Sequence, residues 1–251
     1  MGQVLNVKGY PKRIVSLVPS QTELLFDLGL EERIVGVTRF CIHPADKVKG
    51  KVQIGGTKRF DIEKIKALQP DLIIGNKEEN YEEGIAELQK DFPVWMSDIY
   101  TLQDAFGMMR ELGRITGTES KAEEIIASIA FPKINSTKTA AYFIWRKPYM
   151  VAAGNSFINE MLSVFGVKNV FSDLQRYPEI DPEKLQALNP DFVFLSSEPY
   201  AFSEKHIDEF KHFCPNAEVV IVDGEMFSWY GSRLALAPAY FKKLQLQLGL
   251  L

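Results

Sequence analysis

Two kinds of side chain suited to holding a ligand crowd the segments that follow strand-like runs in this sequence. The basic ones are Arg39, Lys58, Arg59, Arg146, Lys147, Arg176 and Arg233. The aromatic ones are Phe40, Phe60, Trp145, Tyr149, Tyr177, Phe227, Trp229 and Tyr230. Guanidinium pairs bidentately with carboxylate or phosphate, and aromatic rings offer flat apolar contact. Together they suit a large, flat, partly anionic ligand. Cys41-Ile42-His43-Pro44 adds a thiol and an imidazole two residues apart. In an extended segment alternate residues share a face, so both could reach a soft metal. Equally, His43 could cap the axial position of a bound metal chelate, or be a hydrogen-bonded loop histidine. A metal site needs further ligands. The remaining histidines, His206 and His212, fall on one predicted helix of the second half.

Catalytic patterns are missing. The sequence has no glycine-rich dinucleotide or phosphate loop and no Gly-x-Ser-x-Gly elbow. Ser20 and Ser156 stand at strand–helix turns without a histidine placed to activate them, and are expected as helix N-caps. Asp98, Glu225 and His43 are the only acids or bases placed for chemistry in a binding cleft. No enzymatic activity is expected.

A net charge of −4 argues against nucleic acid or an anionic membrane as the main partner. Two cysteines, Cys41 and Cys214, fall one in each half and are expected as free thiols. No apolar run approaches the roughly 18 residues of a membrane span. Met1 to Arg13 has no apolar core, so no signal peptide is expected there. The protein is therefore expected in the cytoplasm, or in the periplasm or on a lipid anchor if a leader was trimmed.

The elements that must position these residues repeat. Arg13–Val18 reads as a buried parallel strand, Thr22–Leu28 as a helix stopped by Gly29, and Arg33–Val37 as a second strand. A long loop, Thr38–Phe60, follows. Asp61 then caps a helix to Leu68, and strands Leu72–Gly75 and Val94–Met96 flank a helix near Glu82–Asp91. The second half predicts strands Thr139–Trp145, Lys168–Phe171, Phe192–Leu195 and Val219–Val222, with helices from Ser156 to Gly166, from Asp181, and His206–Phe213. Trp95 is expected in the core. Between the halves, Leu102–Ile115 reads as a helix and Thr118 caps another, stopped by Pro132.

Asp61-Ile-Glu-Lys-Ile-Lys-Ala-Leu-Gln-Pro-Asp71 recurs as Asp181-Pro-Glu-Lys-Leu-Gln-Ala-Leu-Asn-Pro-Asp191, at an offset of 120 residues. Upstream, Gly29 and Gly166 match at an offset of 137, so the first copy carries 17 extra residues in its long loop. Two copies of one βαβ-rich unit imply parallel sheets, right-handed crossovers and two lobes with a cleft between them. The predicted organisation is an N-terminal α/β lobe at 1–117, a bridging helix and connection at 118–134, and a C-terminal α/β lobe at 135–251.

"RIVSLVPSQTELLFDLGLEERIVGVTRF", "FDIEKIKALQPDLIIG" and "EIDPEKLQALNPDFVFL" resemble the class III, helical-backbone substrate-binding proteins of ABC importers, whose members bind vitamin B12, ferric siderophores and haem. The resemblance covers nearly the whole chain. It implies a fold of two similar α/β lobes, each a parallel sheet flanked by helices, joined by one helix, with the ligand between them. It implies a monomer that binds a small-molecule cobalt or iron chelate, has no intrinsic cofactor, and meets the membrane only through a two-fold permease. It places docking on Glu63 and Glu183 and ligand contact above all on Arg233, while the composition of the loops adds Arg39, Phe40, His43, Arg59, Trp145, Arg146, Tyr149, Tyr177, Phe227 and Trp229 as candidates for ligand contact. Glu63 and Glu183 also suit the first turn of a helix as partners of its dipole. Other uses of the same fold are a cytosolic sensor, carrier or chaperone for a corrinoid or tetrapyrrole, and a metal chelatase.

Overall fold

Continuous apolar runs become buried strands, and capped amphipathic runs become the helices that cover them. The computed structural model describes residues 9–251; most of the Met1–Arg13 segment read for a leader lies outside them. The chain forms two compact units. One holds the residues up to Ile99 together with 103–129 and 230–235. The other holds 100–102, 130–229 and 236–251.

In the first unit β1 (Ile14–Ser16), β2 (Ile34–Val37), β3 (Val52–Gln53), β4 (Leu72–Asn76) and β5 (Val94–Ser97) form a parallel sheet of order β3-β2-β1-β4-β5. Helices α1 (Pro19–Asp27), α2 (Ala45–Val48), α3 (Ile62–Ala67), α4 (Glu82–Leu88), α5 (Leu102–Thr116) and α6 (Glu119–Ser128) accompany it. All of β1 and β4 is buried, as continuous apolar runs of a parallel sheet require. The first helix begins one residue before Ser20, behind Val18 and with Pro19 in its first turn, so Ser20 is a buried helical residue and not its cap. At its far end Gly29 takes φ +80° and its N–H reaches Phe26 O, while Leu30 N–H reaches Leu25 O. These two bonds close a Schellman motif, the stop that the glycine announced.

The expected loop at 38–60 is more ordered than a loop. It contains α2 and the edge strand β3. Buried Cys41, Ile54 and Phe60 anchor it. The predicted bridge at 118–134 groups with the first unit as far as Ile129. Ala122 and Ile126 of α6 are buried, and a Cβ at Gly113 of α5 would lie 2.8 Å from that of Ala122. Tight helix–helix packing therefore makes α6 part of a lobe.

In the second unit β6 (Thr139–Trp145), β8 (Lys168–Asn169), β9 (Phe192–Ser196) and β10 (Glu218–Val222) are parallel. β7 (Met150–Val151) was not expected and runs antiparallel to β6. The turn between them is too short for anything but a hairpin. Helices α7 (Phe157–Phe165), α8 (Pro182–Leu188), α9 (Ile207–Phe213), α10 (Glu225–Ser228) and α11 (Ala237–Gln247) complete the unit. The last two were also unforeseen, although Phe241, Leu244 and Leu248 follow a helical spacing. Ser156 caps α7 by accepting from Asn159 N–H, and Gly166 ends it at φ +96°.

The duplication survives in local geometry. Asp61 and Asp181 both hold the N-cap position, but only Asp61 accepts a side-chain bond, from Lys64 N–H at 3.0 Å. In the second copy Pro182, pre-set for helix, occupies the first turn. Gln69 and Asn189 both turn left-handed, at φ 44° and 41°, before the shared proline. Asp71 accepts from Lys12 and Arg13 N–H, and Asp191 from Thr139 N–H, each at 2.8 Å. The terminal aspartate of the repeat thus fastens the start of its unit's first strand.

Candidate ligand-binding site

The carboxyl ends of parallel strands are where open α/β sheets place ligands. In the first unit those ends carry Arg39 and Phe40 after β2, Glu79 after β4, and the start of α1 after β1. Arg39 and Phe40 are exposed, with the guanidinium 4.9 Å from the ring centre. Both lie over Gly56, where a Cβ would come within 3.2 Å of the Phe40 ring. Arg39 N–H donates to Gly55 O at 2.8 Å, and Gly56 N–H to Arg59 O at 2.9 Å, so the inserted segment is tied back on itself. Arg59 is exposed and His43 half-buried. Lys58 donates to Glu78 O. Phe60 is turned inward, its ring 4.7 Å from that of Tyr81.

Cys41 is buried, whereas His43 is half-buried. The Cys41 thiol lies between the Thr22 and Thr38 hydroxyls, at 3.1 and 3.2 Å, and burial pushes its pKa up. Cys214 is buried and also free. Among the described residues no group of three or more His, Cys, Asp or Glu is arranged to hold a metal ion.

Arg233 has a partner that the sequence could not announce. Its Nε donates to Glu23 Oε2 at 2.7 Å and its Nη2 to Glu23 Oε1 at 2.6 Å. Their side chains are only 10% and 13% exposed. Beside this pair, Tyr230 donates to Glu79 Oε1 at 2.6 Å, and burial raises the Tyr230 phenol well above its ordinary pKa.

In the second unit Trp145 ends β6 and stays exposed, edge-on to Tyr200. Of all described Phe and Trp side chains, only Phe40, at 48%, and Trp145, at 40%, are exposed. Each stands at a strand's carboxyl end, one on each unit. Arg146 Nε donates to Glu209 at 2.9 Å, and Tyr149 donates to the other oxygen of the same carboxylate. Burial and the Glu209 charge push the Tyr149 phenol up to about 12. Burial opposes the Glu209 charge too, but the bonds from Tyr149 and Arg146 outweigh it and hold that carboxyl low. Lys147 is exposed, Tyr177 half-buried, and Arg176 lies over the Tyr100 ring at 4.5 Å.

Phe227, expected at the ligand, is wholly buried instead. Its ring packs on Phe241 at 4.7 Å and Tyr142 at 5.3 Å, in the aromatic core. Trp229 is also buried, and its indole donates to Glu198 at 2.9 Å. Glu198 was not singled out from the sequence. It sits after β9 and also accepts from the Ser228 hydroxyl at 2.8 Å. Burial raises its carboxyl pKa, and the nearby charges of Glu225 and Asp223 add to the effect. A lone Glu-Pro in a loop carries no sequence signal for this.

Of the remaining candidates, Asp98 pairs with Lys77 at 3.0 Å. Trp95 is core, as expected. Glu63 and Glu183 are exposed in the first turns of α3 and α8, Glu63 with Lys66 3.9 Å away.

Residues 14–213 match the model of one protein family, described as periplasmic binding protein. The chain belongs to this family. It is 29% identical over 207 residues to an uncharacterized ABC transporter substrate-binding lipoprotein, YvrC, of Bacillus subtilis, covering 76% of this chain and 65% of that protein's length. It is 28% identical over 198 residues to a vitamin B12-binding protein of Vibrio parahaemolyticus, covering 74% of this chain and 70% of the other. The structure of the periplasmic haem-binding protein RhuT from Roseiflexus shares the fold, with a TM-score of 0.80, 21% identity, and 96% and 98% of the two chains covered. Among the described residues of this chain, no helix is long and apolar enough to cross a membrane.

Proposed function

We propose that the protein is the substrate-binding component of an ABC importer: it captures a metal chelate, either a corrinoid, a ferric siderophore or haem, and delivers it to a permease. The observation that carries this reading is the pair of rings Phe40 and Trp145, at strand carboxyl ends of a family member in which no other described Phe or Trp is exposed. A flat ring at a strand's carboxyl end offers apolar stacking area, and a macrocycle or chelate offers a matching face. Arg39 over Phe40 widens that platform with a stacked cation. Similarity to a vitamin B12-binding protein and a shared fold with a haem-binding protein support the ligand class.

The family's docking role falls on Glu63 and Glu183, exposed carboxylates at corresponding positions of the two repeats. Such carboxylates suit paired arginines on a two-fold permease. Accumulation of labelled chelate in vesicles that carry the cognate permease tests the proposal. Uptake is expected only when this protein is added. Uptake that is equal with and without it refutes delivery.

A further inference from the structure

We infer that Tyr200 contacts the ligand beside Trp145 and presents a fixed O–H donor to an oxygen acceptor on the rim of the bound chelate. The inference rests on the reading of the protein as a chelate binder and deepens it by naming a hydrogen bond that sets specificity. Every residue it uses belongs to the second unit.

The loop after β9 brings Tyr200 back to the end of β6. Tyr200 N–H donates to Ile144 O at 3.3 Å, one residue before Trp145. The Trp145 and Tyr200 rings meet edge to face, with centres 5.6 Å apart and planes at 68°. Trp145 is exposed and Tyr200 half-buried. Such a corner can take the flat face of a ligand on one ring and its rim at the other.

The Tyr200 ring is wedged in place. Phe202 stands 4.8 Å from it at 63°, and the buried His206 ring 5.6 Å away. Ser203 N–H donates to His206 Nδ1 at 3.0 Å, one half of a capping box. A ring nitrogen that accepts leaves the hydrogen on the other, so His206 Nε2 donates to the Tyr200 oxygen at 3.3 Å. The Arg146 guanidinium, held by Glu209, hydrogen-bonds the same oxygen. Both lone pairs of the phenol oxygen are thereby taken, and its O–H is left to donate. A donor oriented before the ligand arrives loses little freedom on binding. The hydroxyl therefore favours a chelate with a carbonyl, carboxylate or hydroxamate oxygen at its rim over one with hydrocarbon there.

Calorimetric titration of the whole chain with cyanocobalamin, haemin and ferrioxamine B identifies the probe it holds most tightly, and that probe is used on the variants. Tyr200→Phe keeps the ring and removes the hydroxyl. It is expected to weaken binding about three- to tenfold, the worth of one neutral hydrogen bond. His206 acts through Tyr200 as a positioning residue. His206→Leu is expected to weaken binding by a similar factor in the native background, but by less than about 1.5-fold in the Tyr200→Phe background. His206→Gln, whose amide N–H stands in for Nε2–H, is expected to retain most of the affinity. Equal affinity of Tyr200→Phe and the native chain overturns the inference and leaves the chelate-binding reading standing. Equal losses from His206→Leu with and without the hydroxyl overturn it too, since the imidazole would then serve packing alone. If none of the three probes binds the native chain, the reading itself falls and the inference with it.

Discussion

Arg233 and Glu23 form a bidentate pair with side chains about one-tenth exposed, and that pairing governs what either residue can do. Arg233→Ala leaves Glu23 without its partner and is expected to cost about 3 kcal/mol in urea unfolding. Glu23→Gln with Arg233→Met is expected to cost less than the single substitution, because no charge is stranded. A second residue-scale expectation concerns Tyr149, whose phenol titrates near pH 12 because it is buried against the Glu209 carboxylate. Glu209→Gln removes the charge, so ultraviolet titration should show that phenol ionising at lower pH. The residue types of this site were legible in the sequence, but their pairings were not. Glu23 lies 210 positions from Arg233, and nothing local in the chain states that they meet. The same ignorance put Phe227 at the ligand when it belongs to the core, since an aromatic after a strand reads alike in either place.

At the scale of elements, the repeated Pro-Asp is a fastener. Asp191 accepts from the Lys138 ammonium, and from the N–H and hydroxyl of Thr139, each at 2.8 Å. The hydrogen bond from Lys138, helped by those from Thr139, outweighs burial and holds its carboxyl below the ordinary carboxylate range. A lowered folded pKa gives stability that is present above the unfolded value of about 3.9 and lost as pH falls through the folded one. Asp191→Asn should therefore flatten the acid limb of the stability profile below about pH 4. Gly55 makes a sharper test of the inserted segment. It sits at φ +104°, and a Cβ would lie 2.6 Å from Arg59 O. Gly55→Ala is expected to cost about 2 kcal/mol in thermal unfolding, and to loosen Arg39, whose N–H bonds Gly55 O. Long buried strands and capped helices were legible because burial and capping are local patterns. The two-residue strands β3 and β7 were not, because each lies in a segment without an apolar strand pattern and exists through the neighbour it pairs with; β8, equally short, was announced by the apolar residues around it.

For the whole molecule, the duplication and the strand order accompany membership of the periplasmic binding protein family. Among the described residues each unit carries one exposed glutamate of the repeat, Glu63 or Glu183, and one exposed Phe or Trp. Glu63→Ala with Glu183→Ala is expected to abolish permease-dependent uptake while chelate affinity stays within about twofold, because surface carboxylates add little to the fold or to a distant site. A loss of chelate affinity in that double variant would place these residues on the ligand instead. The claim beneath all of this is that the chain binds a metal chelate, and an equilibrium titration of the purified protein tests it most directly. The expected result is saturation at one chelate per chain, with a Kd well under about 100 μM, or more than roughly 5.5 kcal/mol of binding free energy. No saturable binding of any corrinoid, haem or ferric siderophore up to that concentration would contradict it.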